Sequence, residues 1–442
     1  MSTILSSIFE KAKTWQNPDD VKGIICDVAN RNAFSIFPTH GNWNDLSLTS
    51  GYPSLVVFFA ALDNLFPGEK WDEITHIYIL KIKDILEEDG ILKSASLYAG
   101  IAGICFAIYC ASRECSRYQK LLLKLESVLA EKLERDYFIP LRANLRNERS
   151  SPASLYDPVQ GIIGIGLYGL IRNQPWVEEI VQLLIKLSLP IPVDGQLVPG
   201  WYMSPEDQFT LEDKVRFPRG NFNLGLAHGM TGILAFLAMA HLGGIRLSGQ
   251  VEAMERMALW LQLKRVERED RLFWEGRIAF EDEILGHHKV PSSNREAWCY
   301  GTPGIARTLY LVGKTLKRVE LQQYALESLH SILKLPQQEW QLPGPTFCHG
   351  ISGLLMITHL MARDAQDRKL QEQAVKLEQI LWQFYQPESP FGFCDLDPKK
   401  EGGYIMLHKI GLLEGATGVW LTLLSLHTPI SLWRLPLLID EI

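Results

Sequence analysis

Seven times along its 442 residues the chain repeats one short phrase, and this repetition limits its fold more than any other feature. Each copy is a small-residue turn, Gly-x-x-Gly or Gly-x-x-Ser, followed by about ten mostly apolar residues. The turns are GYPS (51–54), GIAG (100–103), GIIG (161–164), GMTG (229–232), GTPG (301–304), GISG (350–353) and GATG (415–418). Apolar runs of this length suit buried helices better than strands. Charged stretches with apolar residues at helical spacing lie between them, as in LLLKLESVLAEKLERD (121–136) and RKLQEQAVKLEQILWQFY (368–385); these predict amphipathic helices. Successive turns are 49 to 72 residues apart, room for one helix of each kind. The expectation is an all-α chain of seven inner and seven outer helices in a single domain over 1–442. An open array would have polar caps at its ends. The last unit is as apolar as the middle ones, so a closed α/α ring is expected.

Two stretches break the pattern. Residues 188–224 are rich in Pro and Gly with strand-like pieces, and read as an insertion. Residues 268–295 read as a hairpin, RLFWEGRIAF, leading into a long polar loop. Both precede the units that carry the chemistry, which suits a cleft lining. Residues 222–244 carry no formal charge and are long enough to cross a bilayer. Their glycines, His-containing turn and place in the repeat make them an inner helix instead. A net charge of −7 offers no basic stripe, so nucleic acid is not an expected partner. Seven cysteines at irregular spacing in a chain this size point to a reducing compartment, the cytoplasm. The opening MSTILSSIFEKAKTWQ has no signal-peptide pattern and reads as an amphipathic helix.

Registering the repeats on their first glycine gathers the reactive residues. Cys299 and Cys348 each fall two before a glycine, His349, His228, Tyr300 and Glu414 one before, and Asp157 four before. Equivalent positions share one rim, where the inner helices begin. Two Cys and one His make a three-ligand set with a fourth position left open, the usual catalytic zinc arrangement. A lone Cys is more often a small buried hydrophobe; the shared register of Cys299, Cys348 and His349 favours ligation. His228 is a general acid/base candidate, and Asp157 either orients its imidazole or simply caps a helix. Arg295, four before Cys299, is either a cation for a developing oxyanion or a surface arginine. His287 and His288 lie in a polar loop without an evident partner. The other five cysteines have no His or Cys at ligand spacing and read as inert.

The phrases GLAHGMTG (225–232), WCYGTPG (298–304) and FCHGISG (347–353) together resemble the signature of the lanthionine synthetase C (LanC) cyclases. The resemblance continues through YDPVQGIIG (156–164) and IGLLEGATG (410–418), and is closest to the stand-alone class I lanthipeptide type. It implies an α/α toroid with a small SH2-like extension. It also implies one zinc ion per chain on Cys299, Cys348 and His349, a catalytic His228 with Asp157, and further active-site positions at Arg295 and Tyr300. The implied substrate is a dehydrated precursor peptide with its leader. Its Cys thiols add to dehydroalanine or dehydrobutyrine in a Michael-type reaction, giving (methyl)lanthionine thioether rings. A dehydratase and an exporter are the implied partners, with peripheral membrane association through them. Two other readings stand beside this one: addition of a small thiol such as glutathione to dehydroamino acids, and a non-catalytic peptide-binding scaffold with structural zinc.

Overall fold

The computed structural model describes residues 2–35, 41–88, 94–286 and 295–441. His287 and His288 lie outside the described residues.

All seven apolar runs are helices, and each begins on the residue after its glycine. They are Tyr52–Leu65, Ile101–Cys110, Ile162–Ile171, Met230–Leu242, Thr302–Thr315, Ile351–Ala365 and Ala416–His427. A helix apolar on every side has no face to offer water. Accordingly Met230 through Ala240 are buried without a break, and so are Ala416 through Ser425. Each Leu, Ile or Phe so buried stabilises the fold by about 1.5–3 kcal/mol. The amphipathic stretches form the second set: Trp71–Glu88, Gln119–Leu133, Val177–Leu187, Gln250–Leu263, Val319–Leu333 and Arg368–Trp382. The chain's first helix, Ser2–Thr14, packs against Ala416–His427 and so supplies the last inner helix with a partner. No described helix is long and apolar enough to cross a membrane.

The chain divides into two compact units. The first comprises Met1–Ser127, Leu342–Ala362 and Gln371–Trp433. Within it Tyr52–Leu65 packs on Trp71–Glu88, Ile101–Cys110 and Ala416–His427. The second comprises Val128–Gln341, Arg363–Leu370 and Arg434–Ile442. Within it Met230–Leu242 packs on Ile162–Ile171, Gln250–Leu263 and Thr302–Thr315, and the last of these on Val319–Leu333.

The two irregular stretches meet in the second unit. Strand Asn221–Asn223 pairs antiparallel with Tyr202–Met203 on one side and with Arg277–Ala279 on the other, setting Asn223 opposite Arg277. The hairpin expected in RLFWEGRIAF starts earlier. Val266–Arg268 pairs with Arg271–Phe273, while Arg277–Ala279 leaves to join the other sheet. The polar segment after it also departs from expectation, because Phe280–Leu285 is a helix. Glu281, Asp282 and Glu283 occupy its first turn, where carboxylates complement the helix dipole, and Gly286 ends it in the left-handed conformation.

Candidate active site

The glycine turns explain why reactive residues gather at helix starts. The first N–H groups of a helix have no partner within it. Here the preceding loop folds back and supplies carbonyls: Tyr52 N donates to Asp45 O, Ile101 N to Ser94 O, Ile351 N to Gly344 O and Ala416 N to Lys409 O, each seven residues back. Hydroxyls two residues past the glycine repeat the bond, Thr231 to Leu224 O, Ser352 to Pro345 O and Thr417 to Ile410 O. The loop lies so close that a Cβ on Gly229 would meet Asn223 O at 2.3 Å. Neighbouring turns are also tied together. Thr49 N donates to Tyr98 O, Leu226 N to Cys299 O, and Phe347 N and Cys348 N to Leu413 O. In every pair the acceptor lies two residues before a glycine. The backbone thus fixes the residues just ahead of each inner helix.

In the second unit this places His228, Asp157, Cys299 and Tyr300 together. His228 Nδ1 lies 2.6 Å from Asp157 Oδ2, and Asp157 is wholly buried. The other carboxylate oxygen accepts from the N–H groups of Gln160 and Gly161, so Asp157 holds the turn ahead of the helix Ile162–Ile171 and orients the imidazole at once. With Nδ1–H given to Asp157, Nε2 is the nitrogen left for chemistry. Burial alone favours neutral His228, but the Asp157 charge and hydrogen bond outweigh it and a Cys299 thiolate adds to them. The imidazole is held above its ordinary range. The Phe209 ring packs on the imidazole with centroids 5.2 Å apart. Tyr300 Oη accepts from Asn223 Nδ2 at 3.0 Å, and its ring lies where a Cβ on Gly225 would be. Burial pushes the Tyr300 hydroxyl up, with Arg277 and Asn223 pulling against it. Cys299 is 6% exposed. Arg295 is exposed, with its carbonyl packed under Gly301.

In the first unit Cys348 and His349 occupy the matching turn, both partly exposed. Beside them Lys409 pairs with Asp395 at 2.7 Å and lies 3.6 Å from Glu414. Burial raises the Asp395 carboxyl, against the charges of Lys409 and His349. Cys394 is not isolated as its spacing suggested, since its Sγ lies 3.4 Å from His408 Nδ1 and 3.5 Å from Ser389 Oγ. Burial raises this thiol and lowers this imidazole, each toward its neutral form.

A family model described as lanthionine synthetase C-like protein matches residues 42–438. The chain belongs to this family. Nisin biosynthesis protein NisC of Lactococcus lactis subsp. lactis is 28% identical over 362 residues, covering 80% of this chain and 83% of that protein. A solved structure of nisin cyclase superposes with a TM-score of 0.75 at 24% identity, covering 95% of this chain and 97% of that one. The latter shows the fold: the LanC-like chain is in the α/α toroid class.

Among the described residues no group of three or more His, Cys, Asp or Glu forms a metal cluster. The donor chemistry nevertheless fits zinc. Two thiols and an imidazole are its usual ligands, and Cys299 and Cys348 both precede helix N-termini, whose positive ends favour thiolates. Several neighbours of the site escaped the reading of the sequence: Asn223, Phe209, Arg277 and its ion-pair partner Asp213. They come from the irregular stretches, where no repeat register marks them.

Proposed function

We propose that this LanC-like chain is a zinc-dependent lanthipeptide cyclase. It would join Cys thiols of a dehydrated precursor peptide to dehydroalanine or dehydrobutyrine residues in the same peptide, forming thioether rings. The observation that carries this reading is the His228–Asp157 pair beside the neighbouring Cys299 turn, to which Leu226 N donates at Cys299 O. Cys299, Cys348 and His349 would hold the ion, whose contribution is to favour the thiolate form of a substrate thiol.

Once sulfur has added to the β-carbon, the developing enolate needs a proton at its α-carbon. His228 is the acid, kept protonated and aligned by Asp157. Tyr300, on the Cys299 turn, is a hydrogen-bonding group, and Arg295 is the candidate cation for the enolate oxygen. The helix N-termini add a modest positive field. A dehydratase and an exporter are the proposed partners, with association at the membrane through them.

Ring closure leaves peptide mass unchanged and consumes one alkylatable thiol per ring, so thiol alkylation followed by mass spectrometry reads the reaction. Cys348→Ala is expected to lose zinc and ring formation while dehydrated peptide still binds. Normal rates in zinc-free enzyme would overturn the mechanism. A product that gains the mass of added glutathione would replace the cyclase with a small-thiol transferase.

A further inference from the structure

The fifth helix start is built differently from four of the others. Among the glycines that start the seven apolar helices, Gly301 alone has positive φ, at +112°. Its Cβ would lie 2.0 Å from Arg295 O, the carbonyl seven residues before Thr302. At four other helix starts the carbonyl in that position receives the first helical N–H. At the fifth, Thr302 N donates instead to Glu296 Oε2, at 2.9 Å. The Glu296 side chain is wholly buried, and its other oxygen accepts from Arg271 Nη2 at 2.7 Å. Its backbone is fixed as well, with Glu296 N donating to Trp340 O and Ala297 N to Tyr300 O.

A copy that departs from the bond four others share has reason to do so, and departures from local rules cluster at functional sites. The copy in question carries Cys299 and Tyr300. A carboxylate at a helix N-terminus meets the positive end of the dipole, and Arg271 balances its charge. We infer that Glu296, held by Arg271, is a positioning residue that sets the Cys299–Tyr300 turn for the reaction. The Arg271 guanidinium reaches it from the hairpin Val266–Phe273, which is fixed to Val319–Leu333 by the bond from Leu272 N to Ser331 Oγ. The hairpin, with no residue in the candidate site, is thereby coupled to it.

The inference rests on the cyclase reading for its kinetic arm and on geometry alone for its chemical arm. Iodoacetamide labelling of the metal-free protein, mapped by peptide mass spectrometry, compares Cys299 with Cys348 and the buried Cys105. In Glu296→Gln, Cys299 is expected to label at least threefold faster, with the other two unchanged. A uniform rise at all three would mean general loosening and would overturn the inference, as would an unchanged Cys299. Kinetically, kcat for ring formation should fall about tenfold with KM held, and Glu296→Asp should not rescue it, being too short to span Thr302 N and Arg271. Should Glu296→Gln fail to fold, Arg271→Met applies the same labelling test with the carboxylate in place. Wild-type protein that forms no rings would sink the cyclase reading and leave the labelling result standing.

Discussion

The proton chemistry proposed for the site rests on a single residue pair. His228 and Asp157 were legible in the sequence because both keep fixed distances from a glycine turn. Their contact across 71 residues needed the fold. A raised folded-state imidazole value stabilises the native protein below the unfolded histidine value of about 6.5, and that contribution is lost as pH rises through the folded value. In the proposed reaction the same shift favours a protonated His228. Asp157→Asn should therefore lower the His228 titration seen by NMR and move the alkaline limb of ring formation to lower pH; an unmoved limb would separate the pair from the chemistry. His228→Ala should retain zinc and slow ring formation by roughly 10²–10⁴-fold, as measured by thiol alkylation. Glu296, Asn223 and Arg277 were not legible, since their roles come from segments paired only in three dimensions.

At the scale of elements, the seven apolar runs were legible as helices, although each helix begins directly after the first glycine, inside what the sequence read as a four-residue turn. The hairpin and the acidic helix Phe280–Leu285 were misread. Short strands and helices take their register from tertiary partners, and a polar run without periodicity looks like loop either way. The helix-start bonds make two energetic predictions. Thr231→Val removes the bond to Leu224 O and leaves a buried carbonyl unpaired, costing about 1–3 kcal/mol. Gly229→Ala forces a methyl against Asn223 O, with a cost of about 1–3 kcal/mol or more as the loop is pushed off the helix. Urea unfolding would measure both, and neutral results would mean that the loop is held elsewhere.

For the molecule as a whole, the first helix completes the last inner helix. Trp15, 1% exposed, donates from Nε1 to Pro390 O, and Lys11 Nζ donates to Ser389 O at 2.9 Å. Trp15→Ala should cost about 3–5 kcal/mol, far above a typical terminal substitution, when followed by thermal or urea unfolding. If zinc binds as proposed, saturating it at one hundred times its dissociation constant adds roughly 2.7 kcal/mol. A chelator should then lower the unfolding midpoint of wild type and leave Cys299→Ala unmoved. The bonds that tie one turn to the next run from backbone to backbone and ask nothing of the side chains just ahead of each glycine. At those places the chain carries Cys and Tyr, Cys and His, Ala and His, but also Thr and Ser, Tyr and Ala, Val and Gln, Leu and Glu. Four of the turns close with the same backbone bond and are sockets of one shape. A fold of this kind can exchange its chemistry one plug at a time, and a histidine installed at Ala99 or Glu414 would meet a ready-made seat.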